Sequence, residues 1–196
     1  LTVAALDPIK NSGKMTISNG KIVANNAENT RRCIYNYGEM TINDVEFVQT
    51  YDQKGAAINN EGKMVINNAT VNAVRYAVWT SGANAETIIN GGTYSNETDM
   101  NLPVYAVVAY EGAKMTINGG TFTQIGKSYL LGNGSAAIAI NGGSFNGYVN
   151  DNGSNDKMRP GCAVVKGGTF NFDPTAWLAE GYQAVKSGST WTVSAK

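Results

Sequence analysis

One eight-residue pattern returns seven times along the chain: MTISNGKI from Met15, MTINDVEF from Met40, MVINNATV from Met64, TIINGGTY from Thr87, MTINGGTF from Met115, IAINGGSF from Ile138 and AVVKGGTF from Ala163. The third residue of each copy (Ile17, Ile42, Ile66, Ile89, Ile117, Ile140 and Val165) recurs at spacings of 25, 24, 23, 28, 23 and 25 residues. A period of this length is too short for a propeller blade or a helical hairpin. It suits one turn of a parallel β-solenoid, in which each winding stacks on the one before.

The columns of the alignment support the same geometry. Two residues before each anchor stand Met15, Met40, Met64, Thr87, Met115, Ile138 and Ala163, and five after it stand Ile22, Phe47, Val71, Tyr94, Phe122, Phe145 and Phe170. Alternate residues of a strand point to one face, so equivalent apolar side chains of successive coils meet at the same place in the core. The intervening column, Thr16, Thr41, Val65, Ile88, Thr116, Ala139 and Val164, then faces outward. Directly after the anchor come Asn43, Asn67, Asn90, Asn118 and Asn141 on five consecutive coils. Asn at a repeated tight turn predicts a ladder of side-chain amides, each bonding the copies above and below. The next pair becomes Gly-Gly in the last four coils, as a bend with positive φ requires.

A second run in each coil ends at Gly38, Gly62, Gly82, Gly112 or Gly134, which predicts three short strands per coil. Beyond the last coil, Asp173 as N-cap, Pro174 at N1 and Gly181 as the stop predict a short helix over Thr175 to Glu180. Two strands, Tyr182 to Val185 and Trp191 to Val193, around Ser187-Gly188 complete a helix-plus-hairpin cap over the solenoid's open edge. The resulting organisation is an N-terminal connector or partial coil over 1–12, about seven coils over 13–172 and a C-terminal cap over 173–196. Leu1 to Asn11 lacks a comparable cap, and the expectation is that missing sequence or another subunit covers that side.

Composition narrows the chemistry. The chain has no histidine, which removes Ser-His-Asp and Cys-His nucleophiles and HExxH zinc sites. Lys plus Arg and Asp plus Glu number 15 each with no basic block, a poor basis for nucleic-acid binding. Charged residues are only 15% of the chain, their place taken by Asn, Gly and Thr, a balance that favours strands and turns over surface helices. No apolar stretch approaches the ~20 residues of a membrane span. Cys33 and Cys162 fall in the first and seventh coils, about 25–30 Å apart at ~4.8 Å per coil and out of disulfide reach; both are read as small buried hydrophobes. The loop DNGSND, Asp151 to Asp156, lacks the twelfth-position Glu of a Ca²⁺ loop. No metal and no cofactor are expected.

The TINGGTF-type copies resemble the right-handed parallel β-helix proteins of the pectate-lyase-like superfamily, and within it the repeat proteins of bacterial surfaces and of phage fibres or capsid decorations. The likeness runs over residues 13–172, with a FDPTAWLAEGY tail similar to the ends of such arrays. It implies an all-β, right-handed parallel β-helix, and superfamily members include lyases, hydrolases, adhesins and inert shafts. The carboxylate clusters of the enzymes have no counterpart here: the best group, Arg31, Arg75, Asp52 and Lys54, reads as solvated loop charge. No catalytic residue is expected. Tyr35, Tyr76, Trp79, Tyr105, Tyr110 and Tyr129 gather near the second-strand column and form a candidate glycan-stacking face, since flat rings edged by amides suit sugars. The sequence thus predicts a rigid extracellular rod, on a virion exterior as a phage fibre or decoration protein or on a bacterial cell surface as an adhesin. Its expected partners are a larger assembly, two sister chains in a homotrimer, or a polysaccharide; the less favoured alternative is a polysaccharide lyase or glycoside hydrolase.

Overall fold

The computed structural model describes residues 9–24, 32–50, 55–96, 105–124, 129–134, 137–147 and 163–196. Apart from the antiparallel C-terminal hairpin, every pairing between its strands is parallel. Strands Ile9–Asn11, Ile34–Asn36, Ala56–Asn60, Tyr76–Ser81, Tyr105–Tyr110 and Tyr129–Gly134 lie side by side in that order and form face 1. Face 2 carries the residues before the bend of each repeat. It runs from the first half of Lys14–Ala24 through Glu39–Gln49 and Lys63–Ala73 to Glu86–Ile89, Lys114–Ile117, Ala137–Ile140 and Ala163–Val165. Face 3 takes the second halves of the same three long strands, then Thr93–Asn96, Thr121–Gln124, Ser144–Asn146 and Gly168–Phe170. The molecule is a β-solenoid of about 5 turns.

Two details depart from the expected seven coils of three strands. Among the described residues face 1 has six strands, fewer than the seven repeats; the seventh repeat pairs on faces 2 and 3, and residues 148–162 lie outside the described set. In the first three levels faces 2 and 3 are joined as one 11-residue strand. There the bend falls inside a hydrogen-bonded run, made by Asn19 (φ 60), Gly20 (φ 112) and Asp44 (φ 54) at the first two levels. In later levels a Gly-Gly pair interrupts the strand. Gly92 shows why: its φ is 109, and a Cβ there would stand 2.2 Å from the carbonyl oxygen of Ala69 on the level below.

The core is the set of ladders that the repeat columns call for. Ile42, Ile66, Ile89, Ile117, Ile140 and Val165 are fully buried, whereas Ile17, with a neighbouring level on one side only among the described residues, is partly exposed. On the face 3 side, Tyr94, Phe122, Phe145 and Phe170 stack with ring centroids 4.9 Å apart and planes within 10°. That spacing matches the separation of hydrogen-bonded strands, so the backbone ladder sets the ring separation. Burial raises the Tyr94 hydroxyl well above the ordinary phenol range, and the hydroxyl donates to the carbonyl of Gly91 at 2.8 Å. Cys33 is fully buried in the main core, its thiol pushed up to about 12 by burial, so it packs as a small hydrophobe. Cys162 lies outside the described residues.

Polar ladders run alongside. At the exposed bend between faces 2 and 3, Asn141 Nδ2 donates to Asn118 Oδ1 (2.9 Å). The same bond links Asn118 to Asn90, Asn90 to Asn67 and Asn67 to Asn43 (2.8 Å each), and Asn43 ends on Ser18 Oγ (3.0 Å). A second amide ladder is buried at the corner between faces 1 and 2. Asn11 Nδ2 donates to Asn36 Oδ1 and Asn36 Nδ2 to Asn60 Oδ1, each at 2.7 Å, and Asn60 Nδ2 reaches Thr87 Oγ1 at 2.9 Å. Thr87 interrupts the Met column of the repeat, and this contact accounts for it. Its hydroxyl bonds Thr80 Oγ1 at 2.6 Å, where Thr80 takes the register position of Asn60 on the next level. Restoring the repeat with Thr87→Met should therefore destabilise the protein by about 1–2 kcal/mol, because Thr80 is left buried without its partner. Thermal unfolding followed by circular dichroism would show a fall of several degrees; an unchanged or raised midpoint would remove the network from the account.

The expected helix over Thr175 to Glu180 is a single 3₁₀ turn, Thr175–Trp177. Asp173 does accept from the Thr175 backbone N–H at 2.9 Å and from its hydroxyl, as an Asx turn does. Leu178 then goes extended and bridges Val165 in parallel, and Ala179 N donates to Val165 O at 2.9 Å. Six residues are too few to nucleate a helix against that pairing. The hairpin is longer than expected: Tyr182–Ser187 pairs with Thr190–Ala195, which adds antiparallel to Gly168–Phe170 at the end of face 3 and buries Val193.

Candidate functional site

Strict alternation does not decide which aromatic rings of face 1 leave the core. Ala77 and Val78 belong to the main core, while Tyr76, Tyr105, Val108 and Ala56 form a second apolar cluster against which Trp79 packs. Register places Ala56, Tyr76, Tyr105 and Tyr129 in one row and Tyr35, Asn59, Trp79 and Val108 in another. The rings of Tyr76 and Tyr105 lie nearly parallel with centroids 6.0 Å apart, and the Arg75 guanidinium sits 4.6 Å above Tyr76. Trp79 leans on Tyr76 at 4.9 Å and 60°, and on Tyr110 at 5.7 Å and 47°.

The six candidate rings therefore do not form one open face. Tyr76 and Tyr105 are only 5% and 9% exposed, so their faces are not free for a sugar. Trp79 is half-buried and Tyr110 is 40% exposed; these two present an accessible angled pair. The side chain of Tyr129 lies outside the described residues, although its strand is the sixth of face 1.

Tyr35 belongs to a different group, separated from Trp79 by the level that carries Asn59. Its ring lies 4.2 Å from that of Tyr37, the Arg32 guanidinium stands 4.2 Å from its centroid, and Lys10 Nζ stands 5.2 Å from that of Tyr37. The Tyr35 hydroxyl donates to the Glu61 carboxylate. Desolvation first, then the neighbouring carboxylate, push the Tyr35 phenol above its ordinary range, so it stays a neutral donor at any physiological pH. Tyr37, Lys10, Arg32 and Glu61 were not among the residues singled out by sequence. A signal for Tyr37 is present nonetheless, since Tyr35 and Tyr37 in YNYG stand two apart.

Of the enzymatic group considered from sequence, Arg31, Asp52 and Lys54 lie outside the described residues, and Arg75 covers a tyrosine ring. Among the described residues no three His, Cys, Asp or Glu side chains gather in a metal-holding group. No helix among them is long and apolar enough to cross a membrane. Comparison of the chain with family models, curated proteins and solved structures finds no significant match.

Proposed function

We propose that this chain is a non-catalytic structural and recognition module, a stiff rod on the exterior of a larger assembly, with a phage fibre or capsid-decoration protein as the preferred reading. Its resemblance is to the pectate-lyase-like parallel β-helix proteins; the winding is read as right-handed, the usual hand of parallel crossovers, and the seventh repeat as a seventh coil. The observation that carries this reading is the continuity of the ladders. Aromatic rings stack through four levels, and amides link five levels at the outer bend, so neighbouring turns are tied in the core and at the surface. Such a chain spends its sequence on holding shape over roughly 29 Å of axial rise. A bacterial surface adhesin would use the same rigidity.

Within this reading the recognition element is the Trp79–Tyr110 pair. Two accessible rings inclined at 47° can flank a sugar ring. Screening on a glycan array followed by calorimetry on the best ligand tests it. Trp79→Ala is expected to weaken binding at least about tenfold, a loss of ~1.4 kcal/mol, and Tyr110→Ala to weaken it less. Equal binding by the wild type and Trp79→Ala would move recognition elsewhere. Turnover of a uronic-acid polymer by the purified protein would overturn the non-catalytic reading.

A further inference from the structure

Face 2 carries a charge pattern that neither rod-building nor the aromatic pair requires. Strand register aligns Lys14, Glu39, Lys63, Glu86 and Lys114 in a single outward column, alternating in sign on five successive levels. Two residues along each strand, the parallel column runs Thr16, Thr41, Val65, Ile88, Thr116, Ala139 and Val164; it is half-buried from Thr41 to Ala139, with Thr16 exposed at one end and Val164, 46% exposed, at the other. Between the columns lies a groove of about 350 Å³, lined by Lys14, Glu39, Lys63, Glu86, Val65 and Ile88 among others. The alternation is not used up inside the chain. Lys14 and Glu39 approach to 3.5 Å, but among the described residues Lys63, Glu86 and Lys114 make no ion pair.

We infer that face 2 is the interface of an antiparallel homodimer, closed by a two-fold axis that runs along the strand direction midway between the Lys63 and Glu86 levels. Such an axis lays each column onto its own copy while reversing the order of levels. Lys63 then faces the partner's Glu86, Glu39 faces the partner's Lys114, and Val65 meets the partner's Ile88 at the centre. The two-fold doubles every contact, giving four opposed charge pairs around an aliphatic middle. An axis placed on a level instead of between levels sets Glu39 against Glu86 or Lys14 against Lys63, which is repulsive. A parallel arrangement about an axis along the rod brings the charged column over the aliphatic one and desolvates the charges without partners. Alternation of sign therefore selects the direction and confines the axis to positions between levels, and the Val65 and Ile88 contact picks the position between Lys63 and Glu86. The flat contact is small, about 29 Å by 13 Å on each partner, below the size of stable specific interfaces, so the dimer is a weak and transient one.

Sedimentation of the 196-residue chain over a concentration series tests this. The expected result is a reversible shift from 20.7 kDa to twice that mass, weakened by added salt. Lys63→Glu and Glu86→Lys should each weaken association on the order of 100-fold, since each reversal acts twice across the two-fold. The double variant K63E/E86K restores the charge pairs between chains while setting like charges next to one another within each chain, at 39/63 and 86/114. It should dimerise as the wild type does, with no gain in thermal stability. A wild-type chain that stays monomeric at millimolar concentration, a stable trimer, or a double variant no better than the single ones would overturn the inference.

Discussion

Replacing Phe122 with alanine is expected to destabilise the protein by about 3–5 kcal/mol. The ring lies between Tyr94 and Phe145, 4.9 Å from each, and is fully buried. In a compact core, neighbours can relax into part of the space a truncation leaves. Here each neighbouring ring is fixed to its own level by the strand pairings of Thr121–Gln124 with Thr93–Asn96 on one side and Ser144–Asn146 on the other. Closing the gap would require breaking ladder hydrogen bonds, so most of the cavity persists and its cost is near the upper end of the range. In a quasi-one-dimensional array the damage is also local, because each level touches only its neighbours. Denaturant titration should show the midpoint fall, and hydrogen exchange should speed up in the levels of Tyr94 and Phe145 before distant ones. A loss under ~1 kcal/mol would mean that the stacked rings contribute little beyond what the backbone ladder already provides.

The legibility of that stack illustrates what a repeat makes readable. Period and alternation together assign each apolar column a side of the strand, and successive copies supply the neighbours; no long-range guess is needed to place Phe122 over Phe145. The exposed Asn ladder follows by the same logic from five Asn residues in one column. Legibility ends where the neighbour is not a copy. Tyr76 and Tyr105 stand two residues before the core residues Val78 and Val107, where alternation would place them inward, yet they belong to a second apolar cluster that no strand period encodes. Thr175 to Glu180 carries good helix signals, but Leu178 bridges Val165, so a tertiary strand pairing overrides local propensity. The strand division of the early levels was equally hidden, because Asn19 and Asp44 take positive φ without the glycine pair that marks the later bends.

The buried amide ladder is the most instructive omission, and it carries the second large effect. Asn11, Asn36 and Asn60 each stand two residues before a glycine, in NSG, NYG and NEG, and the glycines alone suffice to mark the turn. The amides matter because the corner between faces 1 and 2 is closed to water. Asn60 Oδ1 accepts from Asn36 Nδ2 at 2.7 Å and from the Gly62 N–H at 3.1 Å. Its Nδ2 donates to the carbonyls of Glu86 and Gly62, at 2.9 and 3.1 Å, and to Thr87 Oγ1 at 2.9 Å. Asn60→Ala removes all five contacts and leaves several buried groups short of partners, at a cost of roughly 3–5 kcal/mol. Asn60→Asp keeps the shape but takes away the donors, and it places a carboxylate against two carbonyl oxygens in a dry corner. Its carboxyl pKa would be raised in the folded state, so the penalty grows as pH rises above the unfolded value of about 4 and shrinks below it. Denaturant midpoints measured at pH 3.5 and pH 7, each relative to wild type at the same pH, read this directly. Asn60→Ala should lose similar amounts at both, whereas Asn60→Asp should be the less damaging variant at the lower pH and the more damaging at the higher. An aspartate variant insensitive to pH would show that water reaches this corner and that the amide ladder is not the seal it is taken to be.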